Sequence, residues 1–110
     1  NFVDFSQVPL VKRLTRMPVC IDPSHSVGSR ARAPDGILDL MHATAQGVVA
    51  GANMVLVDFH PAPDKALVDG PQALLLEELE GYLEDIALTR QTYERRVQLS
   101  KRKKCSEKQV

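Results

Sequence analysis

The sequence predicts an α/β fold in which helices alternate with neighbouring parallel strands, and three observations support that prediction. Two apolar runs, at residues 18–26 and 54–61, each end in polar residues that include a histidine. Apolar residues at helical spacing precede, separate and follow these runs, so the order is helix, strand, helix, strand, helix. This alternation is typical of right-handed crossovers between parallel strands, whose carboxyl ends carry the active site in parallel α/β enzymes.

The first helix is expected over residues 6–16, where Val8, Val11 and Leu14 recur at three-residue spacing. A proline in its first turn costs little, because the N–H it lacks would have no partner there. Pro18 ends this helix and opens a strand over residues 19–22. Residues 26–36 are polar, basic and interrupted by Gly and Pro, which predicts a loop.

The second half of the chain contains a helix, a strand and the longest helix. A helix is expected over residues 37–49, with a buried stripe of Leu38, Met41, Ala45, Val48 and Val49. Residues 53–59 are nearly all apolar, which predicts a strand covered on both faces. A loop over residues 60–73 leads to the last helix, predicted over residues 74–99. Its expected core face consists of Leu75, Leu76, Leu79, Tyr82, Leu83, Ile86, Tyr93 and Val97.

The length of the chain limits how much of a fold these elements complete. Two strands do not form a stable open sheet or a barrel alone. A (β/α)₈ (TIM) barrel typically needs about 250 residues, whereas this chain has 110. We therefore expect residues 1–99 to be the C-terminal part of such a barrel, about its last two βα units, and residues 100–110 to be a basic, flexible tail.

Composition excludes several classes of function. A hydrophobic content of 44% with a formal net charge of zero fits an ordinary globular protein and argues against nucleic acid as the main partner. The apolar runs are far shorter than the ~20 residues of a membrane span, and the N-terminus lacks signal-peptide features. Two cysteines, Cys20 and Cys105, give no disulfide framework, which favours the cytoplasm. The basic residues beyond Tyr93 indicate either a solvated, frayed helix end or a patch for a polyanion.

The polar residues at and after the strand ends define the candidate site. His25 follows the first strand, Asp58 ends the second, and Asp69 comes eleven residues later. One imidazole and two carboxylates form a set of ligands that suits a divalent metal.

Three motifs in this order resemble one enzyme family. Residues 19–26, 57–67 and 69–74 resemble 3-deoxy-7-phosphoheptulonate (DAHP) synthases, in the branch related to 3-deoxy-8-phosphooctulonate synthases. The opening residues 1–9 resemble the family's link into its last two βα units, and the resemblance extends to about residue 88. It implies a (β/α)₈ barrel that condenses phosphoenolpyruvate with erythrose 4-phosphate, the first step of the shikimate pathway of aromatic amino acid biosynthesis.

The resemblance also implies roles for individual residues. Many members of the family hold a divalent metal through a Cys, a His, a Glu and an Asp. By that resemblance His25 is the histidine ligand, Asp58 lies at the glutamate position and Asp69 is the aspartate ligand. The metal would be Mn²⁺, Fe²⁺, Zn²⁺ or Co²⁺ and would polarise or orient the substrate aldehyde. His25 and Asp69 are also the expected catalytic residues.

Substrate contacts are expected from residues beside these ligands. Ser24, Ser26, Arg30 and His60 are candidates for contacts with phosphoenolpyruvate or the aldose phosphate. His60 is equally compatible with a hydrogen bond that anchors its loop. For Arg30 and Arg32 the alternatives are a phosphate contact, a contact with a neighbouring subunit, or a solvated loop.

Three departures from the family pattern leave more than one function open. Asp58 is one methylene shorter than the family's glutamate, and the span from residue 28 to 51 is longer than usual. The family's cysteine ligand and its phosphate-binding Lys and Arg residues lie in early strands that this chain does not contain; Cys20 is expected to be buried and inert instead. The chain is therefore part of a synthase, a non-catalytic fragment or partner-dependent domain, or part of a related synthase for another aldose phosphate. Exposed apolar faces are expected to cause homo-oligomerisation or association with the rest of the barrel.

Overall fold

The computed structural model of the chain describes residues 5–23, 32–60 and 74–108. These residues include helices α1 (Gln7–Thr15), α2 (Asp39–Val49) and α3 (Leu79–Lys108). They also include four two-residue strands, β1 (Cys20–Ile21), β2 (Met54–Val55), β3 (Phe59–His60) and β4 (Leu74–Leu75). A 3₁₀ turn, Leu76–Glu78, joins β4 to α3.

The first strand pair confirms the predicted parallel arrangement. β1 runs parallel to β2, with Cys20 opposite Met54 and Ile21 opposite Val55. One further backbone bond, from the Leu56 amide to the Ile21 carbonyl at 2.9 Å, continues the pairing toward the carboxyl ends. Because α2 lies between the two strands in the chain, it forms the crossover that parallel neighbours require.

The second strand pair corrects the predicted extent of the strand over residues 53–59. The chain leaves β1 after Leu56 and pairs again as β3, which runs parallel to β4 with Phe59 opposite Leu74. The Leu74 amide donates to the Asp58 carbonyl at 2.8 Å, so the chain changes its hydrogen-bonding partner at Asp58.

Both ends of the last helix differ from the prediction. Residues 74–78 form β4 and the 3₁₀ turn, and the helix begins at Leu79, because the pairing with β3 holds Leu74 and Leu75 extended. The Leu75 amide donates to the Glu78 carboxylate at 2.8 Å at the start of the turn. The helix then continues to Lys108, since residues 100–108 contain Lys and Arg but no Gly or Pro that would end it. Most of the expected basic tail is therefore helical.

The core consists of two apolar clusters that share Val55. One contains Leu38, Leu40, Leu74 and Tyr82, with Phe59 and Ile86 packed against it. The other contains Val8, Ile21 and Ala52, and it joins α1 to the β1–β2 pair. Val55 of β2 contacts both clusters, so the strand that leads to Asp58 is packed against both parts of the core.

The buried face of α2 is rotated from the predicted stripe. Met41, Ala45 and Val49 are only half-buried, whereas Leu40, Ala43, Thr44, Gly47 and Val48 are buried. Small side chains explain the difference. A Cβ atom at Gly47 would overlap Ile21 Cδ1, and the Thr44 hydroxyl donates to the Leu40 carbonyl and lies 2.8 Å from the Tyr82 hydroxyl. The small residues thus allow β1 and α3 to approach the helix closely.

Several large apolar side chains remain uncovered. Leu14 is 74% exposed, Met54 64% and Leu56 57%, as expected for part of a larger fold. Among the described residues, no helix combines the length and apolar character needed to cross a membrane.

Candidate functional site

The candidate site lies where the two parallel strands end. The register of β1 and β2 brings their carboxyl ends to one edge of the sheet, so Asp22 and Asp58 follow the strands at that edge. Both aspartates are half-buried, and Pro23 after Asp22 is buried. This edge therefore carries carboxylates that are partly withdrawn from water.

Asp58 is held in place by its main chain and by both of its neighbours. Its carbonyl accepts the Leu74 amide, while Val57 and Phe59 pack against the core cluster around Leu74 and Tyr82. These contacts fix the backbone that bears the carboxylate. A metal ligand needs such support to keep its position.

Most of the other predicted site residues lie outside the described residues. These are Ser24, His25, Ser26, Arg30 and Asp69. The main chain of His60 is described and pairs with Leu75 in β4, but its side chain is not described, so its contact with substrate or loop stays a prediction. Within the described ranges, no group of three or more His, Cys, Asp or Glu residues could hold a metal ion. Of the three predicted ligands those ranges include Asp58 alone, so the metal site remains a prediction.

The expectation that Cys20 is buried is wrong. Its side chain is exposed, with Sγ 3.7 Å from the Ile21 carbonyl. Successive strand residues point to opposite faces. Ile21 takes the core side and is 5% exposed, which leaves Cys20 on the uncovered side opposite Met54.

The described part of the long span contains two local contacts that the sequence did not predict. The Arg32 guanidinium donates to the Gly36 carbonyl at 2.7 Å and lies 3.9 Å from the Glu78 carboxylate, so it links the turn at Gly36 to the 3₁₀ turn that precedes α3. His42 is 42% exposed and lies 2.9 Å from the Asp35 carboxylate. The Ile37 amide and then the His42 ring hold the pKa of Asp35 below its usual value.

Three basic side chains at the opposite edge of the sheet form a cluster that sequence reasoning missed. They donate to carbonyls at and just beyond the end of α2: Lys12 to Gly51 at 2.9 Å, Arg96 to Val49 at 3.0 Å and Arg90 to Ala52 at 3.4 Å. Cations are favoured at a helix C-terminus, where the unpaired carbonyls carry partial negative charge. The Tyr93 ring lies 4.9 Å from the Arg90 guanidinium carbon and 5.7 Å from Lys12 Nζ. Single-sequence spacing gives no signal for this cluster, because its members come from α1 and α3.

The parallel strands, with a half-buried carboxylate at one edge of their sheet, define a parallel α/β protein. In this class the functional residues lie at the carboxyl ends of the strands. Comparison with known proteins identifies the family. The profile of the DAHP synthetase I family matches residues 1–95, and the chain belongs to that family.

Relatives with two activities support this membership. The chain is 39% identical over 77 residues to phospho-2-dehydro-3-deoxyheptonate aldolase of Thermotoga maritima, covering 70% of this chain and 21% of the relative. It is 37% identical over 93 residues to 2-dehydro-3-deoxyphosphooctonate aldolase of Desulfosudis oleivorans, covering 81% and 33%. The crystal structure of the Thermotoga maritima DAHP synthase superimposes with a TM-score of 0.67 at 32% identity, over 79% of this chain and 24% of that one. The chain therefore spans between a fifth and a third of the length of these curated relatives.

Proposed function

We propose that this chain provides the last two βα units of a (β/α)₈ barrel that condenses phosphoenolpyruvate with erythrose 4-phosphate to give 3-deoxy-7-phosphoheptulonate. The observation that carries the proposal is Asp58. It is a half-buried carboxylate on a fixed backbone, three residues beyond the carboxyl end of β2 and directly before β3, within the segment that matches the family profile. Catalytic residues of such barrels lie at this edge. A cytoplasmic location is part of the proposal.

The proposed metal ligands are His25, Asp58 and Asp69. The partly desolvated carboxylate of Asp58 fits such a role, because an anionic oxygen withdrawn from water gains from a neighbouring cation. An imidazole with two carboxylates suits Mn²⁺, Fe²⁺, Zn²⁺ or Co²⁺. When bound, the metal would supply Lewis acidity toward the aldehyde of the sugar phosphate.

The chain's own residues would bind and orient the reactants. Ser24, Ser26, Arg30 and His60 are proposed to contact the substrates, and His25 and Asp69 to lie beside the reacting carbons. The reaction joins C3 of phosphoenolpyruvate to the aldehyde carbon; water then adds at C2 and inorganic phosphate leaves. The remaining phosphate contacts and the cysteine ligand would come from the preceding βα units.

The test uses a hybrid protein in which the full chain replaces the matching segment of the Thermotoga maritima aldolase. We expect consumption of phosphoenolpyruvate that a chelator abolishes and that added Mn²⁺ restores. Asp58→Asn should lower kcat/KM by at least about 100-fold and weaken metal binding, because an amide is a neutral and poorer ligand. Asp58→Glu, which restores the family's residue, should keep activity. Asp85→Asn changes another half-buried aspartate, on α3, and is the matched control.

Two outcomes would contradict the proposal. Full activity of Asp58→Asn would exclude this carboxylate from the site. A folded hybrid without turnover, with the parent aldolase active, would favour the alternative of a non-catalytic, partner-dependent domain. The isolated chain should show no turnover, because the proposal places the remaining contacts in the preceding units.

A second candidate substrate follows from the relatives named octonate aldolases. Phosphoenolpyruvate contributes three carbons, so an eight-carbon product requires a five-carbon aldose phosphate in place of erythrose 4-phosphate. Comparing kcat/KM of the hybrid for aldose phosphates of four and five carbons distinguishes the two. The shorter carboxylate at position 58 and the long span from residue 28 to 51 are the features of this chain that favour testing both substrates.

A further inference from the structure

Helix α3 packs against the rest of the described chain along one side. On that side Tyr82 is 2% exposed, and its hydroxyl lies 2.8 Å from the hydroxyl of Thr44 on α2. Ile86 and Tyr93 are half-buried and follow Tyr82 at four and eleven residues, so they share this side of the helix. These residues define the packed side of α3, and the opposite side faces away from the core.

The opposite side of α3 is exposed over about five turns of helix. Its residues recur at steps of three, four or seven, and we call them the outer face: Glu84, Leu88, Arg95, Leu99 and Arg102. Leu88 is 63% exposed and Leu99 is 54% exposed. The eleven residues between them are close to three turns, so the two leucines lie in one line about 16 Å apart. Because helices form the outer ring of a (β/α)₈ barrel, completing a barrel around the sheet leaves this face in water.

Charge is distributed unevenly along the same helix. Residues 79–89 contain Glu80, Glu84 and Asp85 and no basic residue, whereas residues 95–108 contain seven Lys or Arg residues and one Glu. The helix dipole favours acids in the first turn and bases in the last, but its effect fades beyond those turns. Glu84, Asp85 and the bases at positions 95, 96 and 101–104 lie further inside the helix, so the dipole does not account for them. This distribution fits a partner surface with the reverse order of charges.

A second copy of α3 that runs antiparallel to the first has that reverse order. With Leu88 of one copy opposite Leu99 of the other, twofold symmetry repeats the same contact with the roles exchanged. Because the two helices run in opposite directions, this register brings Glu84 of one copy level with position 103 of the other, within one residue of Arg102. A parallel copy would instead place acids beside acids and bases beside bases, which is unfavourable.

We propose that the outer face of α3 binds a second copy of this chain, with the two helices antiparallel, Leu88 opposite Leu99 and Glu84 beside Arg102. The family profile ends at residue 95, so Leu99 and Arg102 lie beyond the matched segment and the contact belongs to this chain rather than to the profile. The proposal does not depend on the catalysis proposed above. Exposed ion pairs are individually weak and are screened by salt, so association should depend on both protein and salt concentration.

Disulfide cross-linking tests the direction and register of the two helices. The full chain in a Cys20→Ser, Cys105→Ser background would carry either Leu88→Cys or Leu99→Cys. A mixture of the two under mild oxidation should form the disulfide between different variants at least about tenfold faster than either variant forms one with itself, because equivalent positions lie about 16 Å apart along the axis. Leu83→Cys is the matched control. Leu83 is 55% exposed but lies about 140° around the helix from Leu88, so this variant should not cross-link with either.

Charge reversal tests the ion pairs, with the dissociation constant of the full chain measured by sedimentation equilibrium. Glu84→Lys and Arg102→Glu should each raise Kd by at least about tenfold, because each turns two symmetry-related attractions into repulsions. A mixture of the two variants should associate about as tightly as the unsubstituted chain, since every contact between positions 84 and 102 again joins opposite charges. Glu77→Lys and Arg13→Glu make the same changes at exposed positions outside the outer face, and should leave Kd unchanged. All four positions are exposed, so the variants should keep the helical circular dichroism of the unsubstituted chain.

Four results would overturn the proposal. Faster cross-linking of Leu88→Cys with itself than with Leu99→Cys would show a parallel or unspecific contact. A mixture of the two charge variants that stays as weak as each alone would exclude the pairing of positions 84 and 102. Equal effects of the control reversals would assign association to net charge or to another surface. A chain that remains monomeric at all concentrations, with no cross-linking, would leave the outer face without a second copy.

Discussion

Replacing Gly47 by alanine perturbs the contact between α2 and β1 at its closest point. A Cβ atom at this position would overlap Ile21 Cδ1 and would lie 3.4 Å from both Cγ1 and Cγ2 of that residue. Ile21 is 5% exposed and packs with Val8 and Ala52, so its side chain has little room to turn away.

The free energy of unfolding reflects two opposing effects of this substitution. Alanine is favoured over glycine inside a helix by about 1 kcal/mol. Forcing an additional methyl group into a packed core costs about 1–3 kcal/mol. The expected net change is a loss of about 0–2 kcal/mol. At Gly81 on α3, where nothing lies within 4 Å of the added Cβ, alanine should instead stabilise by up to about 1 kcal/mol.

Urea unfolding of the two variants, followed by helical circular dichroism, measures the difference. Gly47→Ala should be about 1–3 kcal/mol less stable than Gly81→Ala. Ile21→Val removes the overlapping methyl group, so in the double variant the cost of Gly47→Ala should fall. The packing argument fails if Gly47→Ala stabilises as much as Gly81→Ala, or if Ile21→Val leaves its effect unchanged.

Three further predictions concern two glycines with positive φ and two titrating groups. Gly51 and Gly36 both have positive φ, +107° and +87°, so alanine at either position should lower the free energy of unfolding by about 1 kcal/mol. The loss measured by urea unfolding should be larger for Gly51→Ala, because its Cβ would lie 3.0 Å from Tyr93. Burial raises the pKa of Tyr82, so its neutral form stabilises the fold below about pH 10 and that stability is lost as the pH rises further. In Tyr93→Phe, where Tyr82 is the remaining tyrosine, tyrosinate absorbance should appear at higher pH in the folded chain than in the urea-unfolded chain. Because the pKa of Asp35 is lowered, its ionised form stabilises the turn above about pH 4. As the pH falls through the folded pKa, the protection of amides in this turn, relative to their intrinsic exchange rate at each pH, should decrease, unlike in Asp35→Asn.

The helices and the parallel pairing could be predicted because local patterns determine them. The spacing of apolar residues predicts α2 over residues 37–49, and the helix spans Asp39–Val49. The alternation of elements predicts the parallel β1–β2 pair. An apolar run has the same pattern whichever strand it pairs with, so the division of residues 53–59 between two strand pairs gives no signal in the sequence. For the same reason Leu74 and Leu75, which favour helix by propensity, become a strand only through tertiary pairing with β3.

Prediction of the candidate site from the sequence is limited in the same way. The sequence predicts that Asp58 ends the second strand, because an apolar run precedes it; in the structure β2 ends at Val55, and Asp58 lies between β2 and β3. The exposure of Cys20 could not be predicted, because its burial depends on residues that would cover this face of the sheet, and none of the described residues does so. The cations at the end of α2 also gave no signal, since they approach it from two other helices.

The hydrogen bond between the Asp58 carbonyl and the Leu74 amide has a consequence for how the family can diversify. It joins the two ends of the intervening stretch, and the entropic cost of closing such a stretch grows only slowly with its length. Doubling the number of residues in such a closed segment adds only about 0.6 kcal/mol. Insertions between residues 61 and 73 can therefore alter the surroundings of the proposed site at small thermodynamic cost, while the strand that positions Asp58 keeps its register.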